Sequence, residues 1–337
     1  MINPAQDNLS PQWLAHRFDE STNQIRFVDY DRAIRSSVPF LTDDYLPARP
    51  FRAESRERAR SLAPASGPVH FVFHSGFCCS TLFTSCFDQQ GLATTLSEPM
   101  VLNDVIGWRR RGASPQAVGA LLDDALSLLA RPFEGDQAAI IKPSTVVNGL
   151  SAAMLGIRPE ARAIVMYAPI EHFVTSIAKK GIDGRLWVRE LFLAMRREDL
   201  TQDLGFTDEQ FFGQTDLQIA GIAWLGQQRL FGQLIARFPD RVRVLESESF
   251  LARPRQALAA AASFFGLRMS QGEIDAAVGG SLTRNSKDGK AYSRGARKAE
   301  YRSARSTYGD EIGKVATWAH AVAEAARIPL SLSDHAI

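Results

Sequence analysis

Cysteine is scarce: the 337 residues hold three, with Cys78 and Cys79 adjacent and Cys86 inside the segment that follows. Neighbouring cysteines do not bridge comfortably and no distant partner exists, so no disulfide scaffold is expected and a reducing, cytoplasmic setting fits. No His or Cys cluster has the spacing of metal ligands, so no metal site is expected. Long apolar runs are missing too, which leaves no candidate membrane span. The stretch MINPAQDNLSPQW has neither a basic start nor an apolar centre, so no signal peptide is expected. Charge of one sign is lacking: 39 Lys and Arg stand against 37 Asp and Glu, a net charge of +2. Nothing global therefore points to nucleic acid or a membrane surface, and any basic site must be local. No internal repeat is apparent.

What is present is ordinary globular content, 45% hydrophobic and 23% charged, enough for one large α/β domain or two small ones. The chain is organised around residues 69–91, VHFVFHSGFCCSTLFTSCFDQQG. Val69 to Phe73 is a β-branched and aromatic run that predicts a buried strand. Ser75 and Gly76 break it. Ser80 and Thr81 then open a segment with Leu82, Phe83, Cys86 and Phe87 at helical spacing, and Gly91 is placed to end it. The order is strand, tight loop, Ser-Thr, helix. Such a loop aims backbone N–H groups at one point, and the helix dipole adds positive potential there. A phosphorylated ligand is the expected guest. The stretch is not a Walker A motif: Cys79 stands at its second glycine and Ser80 at its lysine, which argues against ordinary ATP or GTP hydrolysis.

The stretch HSGFCCSTLF resembles the loop of bacterial sulfotransferases that use 3′-phosphoadenosine 5′-phosphosulfate (PAPS). The resemblance implies a three-layer α/β/α fold with a central parallel sheet, of P-loop NTPase and sulfotransferase type. It implies PAPS as sulfuryl donor, no metal, and a loop formed by Ser75, Gly76, Phe77, Cys78, Cys79, Ser80 and Thr81 that grips the 5′-phosphosulfate. The family carries Lys or Arg within this loop; Phe77 holds that position here.

Two candidate groups come from strand ends, where open parallel sheets bind ligands. Thr94 to Leu96 predicts a short strand, with Glu98 after it and Pro99 forcing a turn. Glu98 is read either as a base that takes a proton from an acceptor hydroxyl or as a carboxylate serving the next helix. Ala138 to Ser144 reads as a buried strand ending in Lys142. That lysine either supplies the charge missing from the loop or is an ordinary strand-end lysine in solvent. His74 is a second candidate base.

Further along, residues 151–181 hold a helix, the strand Ala163 to Met166, and Ala168-Pro169 before another helix. In the family an Arg-x-Pro at this point and a following serine bind the 3′-phosphate. Ser176, or Thr175 beside it, matches the hydroxyl; the arginine is absent, and Lys179 and Lys180 are candidate substitutes. Residues 241–267 match a further family pattern of strand, acidic turn, Pro254, helix and Phe264-Phe265-Gly266-Leu267, with Gly266 ending the helix. The stretch 283–302 is basic and poorly periodic; composition alone suggests disorder. The resemblance instead implies a phosphate clamp carrying Lys287, Lys290, Arg294 and Arg297.

The remaining elements are helices over 115–131, 185–200, 214–238 and 306–327. Residues 201–214 are polar and turn-rich; their phenylalanines are read as packing or as a cover over the acceptor. Residues 49–60 read as a basic helix, either a solvated face or a rim for an anion. Residues 61–68 are a linker. A single domain is expected, with an extension over 1–65 packed on or flanking the core, the core over 66–305, and a helix and tail over 306–337. The expected activity is sulfuryl transfer to a hydroxyl or amine of a small-molecule, glycan, lipid or peptide acceptor, with oligomerisation left open. The alternatives are a small-molecule kinase with a degenerate loop, a non-catalytic nucleotide-binding or interaction protein of the same fold, and a Cys78 or Cys79 nucleophile.

Overall fold

A computed structural model describes residues 8–63, 65–280, 294–332 and 336–337; the side chains of Asp203, Arg294, Ala296 and Lys298 are outside the description. The chain begins with strands β1 (Trp13–Asp19) and β2 (Gln24–Asp29), helix α1 (Arg32–Ser37), strand β3 (Phe51–Ser55) and helix α2 (Arg56–Leu62). The three strands form an antiparallel sheet in sequence order. Residues 49–60 are thus not one helix. Their first half is the outer strand of this sheet, and its alternating Phe-Arg-Ala-Glu-Ser offers no apolar run to recognise. The helical half keeps a solvated face, with Arg58 and Arg60 more than half exposed, while Arg56 and Arg60 also donate to the buried Asp124 carboxylate, at 2.6 and 3.1 Å.

Then follow β4 (Val69–His74), α3 (Ser80–Ser85), β5 (Ala93–Ser97), α4 (Met100–Arg110), α5 (Pro115–Leu129), β6 (Ala138–Lys142), α6 (Ser151–Ile157) and β7 (Ala163–Tyr167). The last part runs α7 (Ile170–Lys179), α8 (Gly181–Arg196), α9 (Asp208–Phe212), α10 (Asp216–Arg237), β8 (Val242–Glu246), α11 (Ser247–Ala252), α12 (Pro254–Phe265), α13 (Gln271–Gly279) and α14 (Arg294–Ala325). Strands β4 to β8 form a five-stranded parallel sheet in the order β5-β6-β4-β7-β8, flanked by helices. The order reverses at β4, and the carboxyl end of such a strand is where open α/β sheets take ligands. Strands β4, β6 and β7 are buried at every residue, which explains why they read as continuous apolar runs.

The described residues fall into two compact units. The first comprises 8–73, 81–163 and 258–280. In it β1 is fastened to α4 by Arg17, whose Nε and Nη2 both donate to Asp104 at 2.9 Å, and by Phe18 against Trp108. The end of α12 belongs here. Phe265 stacks on His70 at 4.9 Å and meets Phe87 edge-on at 6.1 Å. Gly266 ends α12 in the left-handed region (φ 76°), and the Leu267 N–H returns to the Ala262 carbonyl. Helix α3 is shorter than its spacing suggested. The amides of Cys86 and Phe87 bond three residues back, to Phe83 and Thr84, which tightens the last turn, and Gly91 (φ 83°) instead turns the chain into β5.

The second unit comprises 74–80, 164–257 and 294–332. Gly181 (φ 59°) makes the corner between α7 and α8. Gly184 lets the two helices close up: a Cβ there would lie 2.4 Å from the Ile177 carbonyl oxygen. Phe211 is buried against Phe192 and Phe206, so these two phenylalanines of the 201–214 stretch pack, whereas Phe212 is 90% exposed. Helix α14 starts twelve residues before the expected 306. No described helix is long and apolar enough to cross a membrane.

Candidate functional site

The loop after β4 is held in costly backbone. Gly76, Phe77 and Cys79 all lie in the left-handed region, at φ 83°, 52° and 61°. For Phe and Cys this is unfavourable and persists only where the surroundings impose it. The surroundings here are explicit. The Ser75 N–H donates to the Met166 carbonyl at 3.0 Å, and the Ser75 carbonyl accepts from Gln227 Nε2 at 3.2 Å. The Gly76 N–H donates to His74 Nδ1 at 3.2 Å. The Phe77 ring is clasped edge-on by Trp187 (5.1 Å) and Phe173 (6.0 Å), with Lys180 Nζ 6.0 Å from its centre. Left-handed Cys79 followed by helical Ser80 turns successive N–H groups toward one side, which is the geometry of an anion nest. Ser80 is buried and Thr81 half-buried. Phe77 therefore brings no charge, but it anchors the loop.

Of the cysteines, Cys78 and Cys86 are buried and Cys79 is half-buried. Burial pushes the Cys86 thiol up to about 12, and its Sγ donates to the Leu82 carbonyl. It is a packing residue rather than a nucleophile.

In the first unit the two strand-end groups meet. The parallel register sets Ser97 opposite Lys142, so Glu98 follows directly beside it. The Glu98 N–H donates to the Lys142 carbonyl at 2.6 Å, and Lys142 Nζ donates to Glu98 Oε1 at 2.6 Å. Lys142 is fully buried, its ammonium 5.1 Å from the centre of the Phe40 ring. Leu41, next to Phe40, donates its N–H to the Ser97 carbonyl, which ties this N-terminal segment to the strand end. Lys142 is thus not a solvated strand-end lysine. Glu98 itself is left-handed (φ 54°) although it precedes a proline, a strained residue like Phe77 and Cys79.

A third cluster lies in the second unit, built on α7, α11 and α14. Thr175 and Ser176 are both buried and donate to the Glu171 and His172 carbonyls, and Ser176 Oγ also lies 2.6 Å from the Tyr301 hydroxyl. Tyr301 stands four residues after Arg297 on α14, and its ring lies 4.9 Å from that guanidinium. Arg297 donates to both oxygens of Glu248, at 2.8 and 3.2 Å. Burial works against the charged guanidinium, yet the bond to Glu248 and the fields of Cys79, Tyr301 and Glu248 raise its pKa overall. Burial likewise opposes the Glu248 carboxylate, but Arg297 and His172 hold its pKa below the ordinary 4.5. His172 is lowered, first by burial, and its Nδ1 lies 3.4 Å from Glu248 Oε1 without a hydrogen bond. Lys179 bonds Glu300 and lies over Tyr301. Tyr167, which stands where the resemblance implies an arginine, is buried, and its hydroxyl accepts from the Leu332 N–H.

The structure therefore brings Ser176 and Arg297 together through Tyr301, and Glu98 and Lys142 directly. Lys287 and Lys290 lie outside the described residues, as does the Arg294 side chain. Glu248, Tyr301 and His172 were not among the sequence candidates. The only signal for Tyr301 was its helical spacing from Arg297. No group of three or more His, Cys, Asp or Glu side chains among the described residues is placed to hold a metal.

No protein-family model matches the chain, and no curated protein matches it. Among solved structures it is similar to the sulfotransferase domain from the curacin biosynthetic pathway, at 12% identity over 67% of this chain and 81% of that one, with a TM-score of 0.38. It is also similar to the sulfotransferase domain from the olefin synthase of Synechococcus PCC 7002, at 14% identity over 72% of this chain and 88% of that one, with a TM-score of 0.41.

Proposed function

We propose that the chain is a sulfotransferase that moves a sulfuryl group from PAPS to a hydroxyl or amine. The observation that carries this reading is the pair of fully buried Lys142 with half-buried Glu98 at the carboxyl edge of the parallel sheet, with Glu98 strained at φ 54°. A fully buried lysine held by a strained glutamate that keeps 18% of its side chain exposed is expensive to build and is characteristic of functional positions. The nest at Cys79 and Ser80 suits a 5′-phosphate, and the Ser80 and Thr81 hydroxyls add donors. The cluster of Ser176, Tyr301 and Arg297 suits a second phosphate. No lysine occupies the loop, which tells against a kinase that needs one on the terminal phosphates.

In this reading Glu98 accepts the proton of the acceptor as its oxygen or nitrogen bonds to sulfur. The sulfur–oxygen bond to the phosphate breaks, and Lys142 opposes the charge left on that oxygen. The loop amides hold the phosphate throughout. His74 positions the loop, since its Nδ1 is committed to the Gly76 amide.

Calorimetric titration of adenosine 3′,5′-bisphosphate tests the assignment. Ser80→Ala is expected to weaken binding about tenfold. Glu98→Gln is expected to bind it as wild type does and to lose turnover. Wild-type affinity in Ser80→Ala contradicts the loop assignment, and wild-type turnover in Glu98→Gln places the base elsewhere.

A further inference from the structure

The Arg297 cluster contains one group that an anion site does not call for, the carboxylate of Glu248. It engages the guanidinium at two points, one oxygen on each terminal nitrogen, at 2.8 and 3.2 Å. That fork is the way a phosphate engages the same side chain. The rest of the cluster is arranged around the fork. Tyr301 lies against the guanidinium, and its hydroxyl is 2.6 Å from Ser176 Oγ. His172 Nδ1 is buried near Glu248 with no hydrogen-bond partner. An orphaned buried nitrogen beside an occupied arginine indicates a polar site whose present filling is incomplete. The pair is also only partly sealed: side-chain exposure is 16% for Arg297 and 34% for Glu248. Water reaches the carboxylate, so it can swing out to solvent, and the mostly buried guanidinium it leaves then calls for another anion.

We propose that Glu248 is a specificity-determining residue: an internal anion that occupies Arg297 until the second phosphate of the nucleotide displaces it. This rests on the nucleotide reading of the site. A dianionic phosphate outcompetes a carboxylate for the guanidinium and also reaches Tyr301 and Ser176, whereas a nucleotide with a single 5′-phosphate leaves the fork closed. Glu248 then lowers the affinity for the bisphosphate and has no effect on the monophosphate. The plain alternative is a structural link that pins α14 to α11, and it makes the opposite claim about the glutamine variant.

The experiment titrates adenosine 3′,5′-bisphosphate and adenosine 5′-monophosphate into the full chain by calorimetry, for wild type, Glu248→Gln and Arg297→Gln. Glu248→Gln is expected to tighten the bisphosphate about tenfold and leave the monophosphate unchanged. Arg297→Gln is expected to weaken the bisphosphate by a similar factor, again without effect on the monophosphate. Bisphosphate binding that is unchanged or weaker in Glu248→Gln overturns the role of Glu248 while the site stands. Failure of the bisphosphate to bind even wild type overturns the nucleotide reading, and this inference with it. If Glu248→Gln does not fold, Glu248→Asp, one methylene shorter, serves in its place with an intermediate gain expected and an unchanged or weaker affinity contradicting.

Discussion

Lys142 and Arg297 each hold a glutamate, at 2.6 Å and 2.8 Å, yet the two pairs differ in almost everything else. Lys142 is a point charge with no exposed surface, bonded to Glu98 through both side chain and backbone. Arg297 is a fork with some exposure, bonded to a carboxylate that water reaches. Removing Glu98 strands an ammonium with no exposed surface, whereas Glu248 is 34% exposed and can turn to water while Arg297 keeps some exposure of its own. The first arrangement fixes two groups in one geometry, which suits chemistry. The second can be exchanged for another anion, which suits binding.

The comparison is tested most severely at Glu98. Glu98→Ala leaves the Lys142 ammonium buried without its carboxylate and is expected to cost about 3–5 kcal/mol in urea unfolding. Lys142→Met in the same background is expected to recover most of that loss. Additive losses in the two single variants and the double variant would show that the pair is not coupled, and the contrast with Arg297 would fail.

The corresponding loss at the second pair is smaller. Glu248→Ala is expected to cost about 1 kcal/mol in the same assay. Its pH dependence has a definite sign. The folded carboxyl is held below its ordinary 4.5, so its stabilisation is present above that pH and is lost as pH falls through the folded value. Unfolding of Glu248→Gln measured from pH 6 to about 3 should show a shallower acid loss than wild type. Parallel curves would mean that the Arg297 fork contributes nothing to folding.

The sequence was most readable where burial is complete. Val69–His74, Ala138–Lys142 and Ala163–Tyr167 are apolar runs because both faces of the sheet are covered. Phe51–Ser55 was misread because an outer strand with a solvated face interleaves arginine and glutamate. At the site, each candidate was visible as a residue but not as a relation. Glu98 and Lys142 are 44 positions apart, and only the register of β5 on β6 joins them. Ser176 and Tyr301 are 125 apart, and only the placement of α14 beside α7 joins them. Phe77 looked like a loss of charge; the left-handed loop and its aromatic clasp give it a mechanical role that composition does not reveal. Glu248 read as part of an acidic turn, because nothing local marks the arginine it meets 49 positions later.

The most direct test of the central claim is calorimetric binding of adenosine 3′,5′-bisphosphate against ATP with Mg²⁺ in the same buffer. A clear preference for the bisphosphate is the expected result, because the loop carries no lysine for a triphosphate while Ser176, Tyr301 and Arg297 gather where a second phosphate is proposed to sit. A preference for ATP would contradict the sulfotransferase reading and favour a kinase. Binding of neither would leave the strained loop and the Lys142–Glu98 pair to some other chemistry.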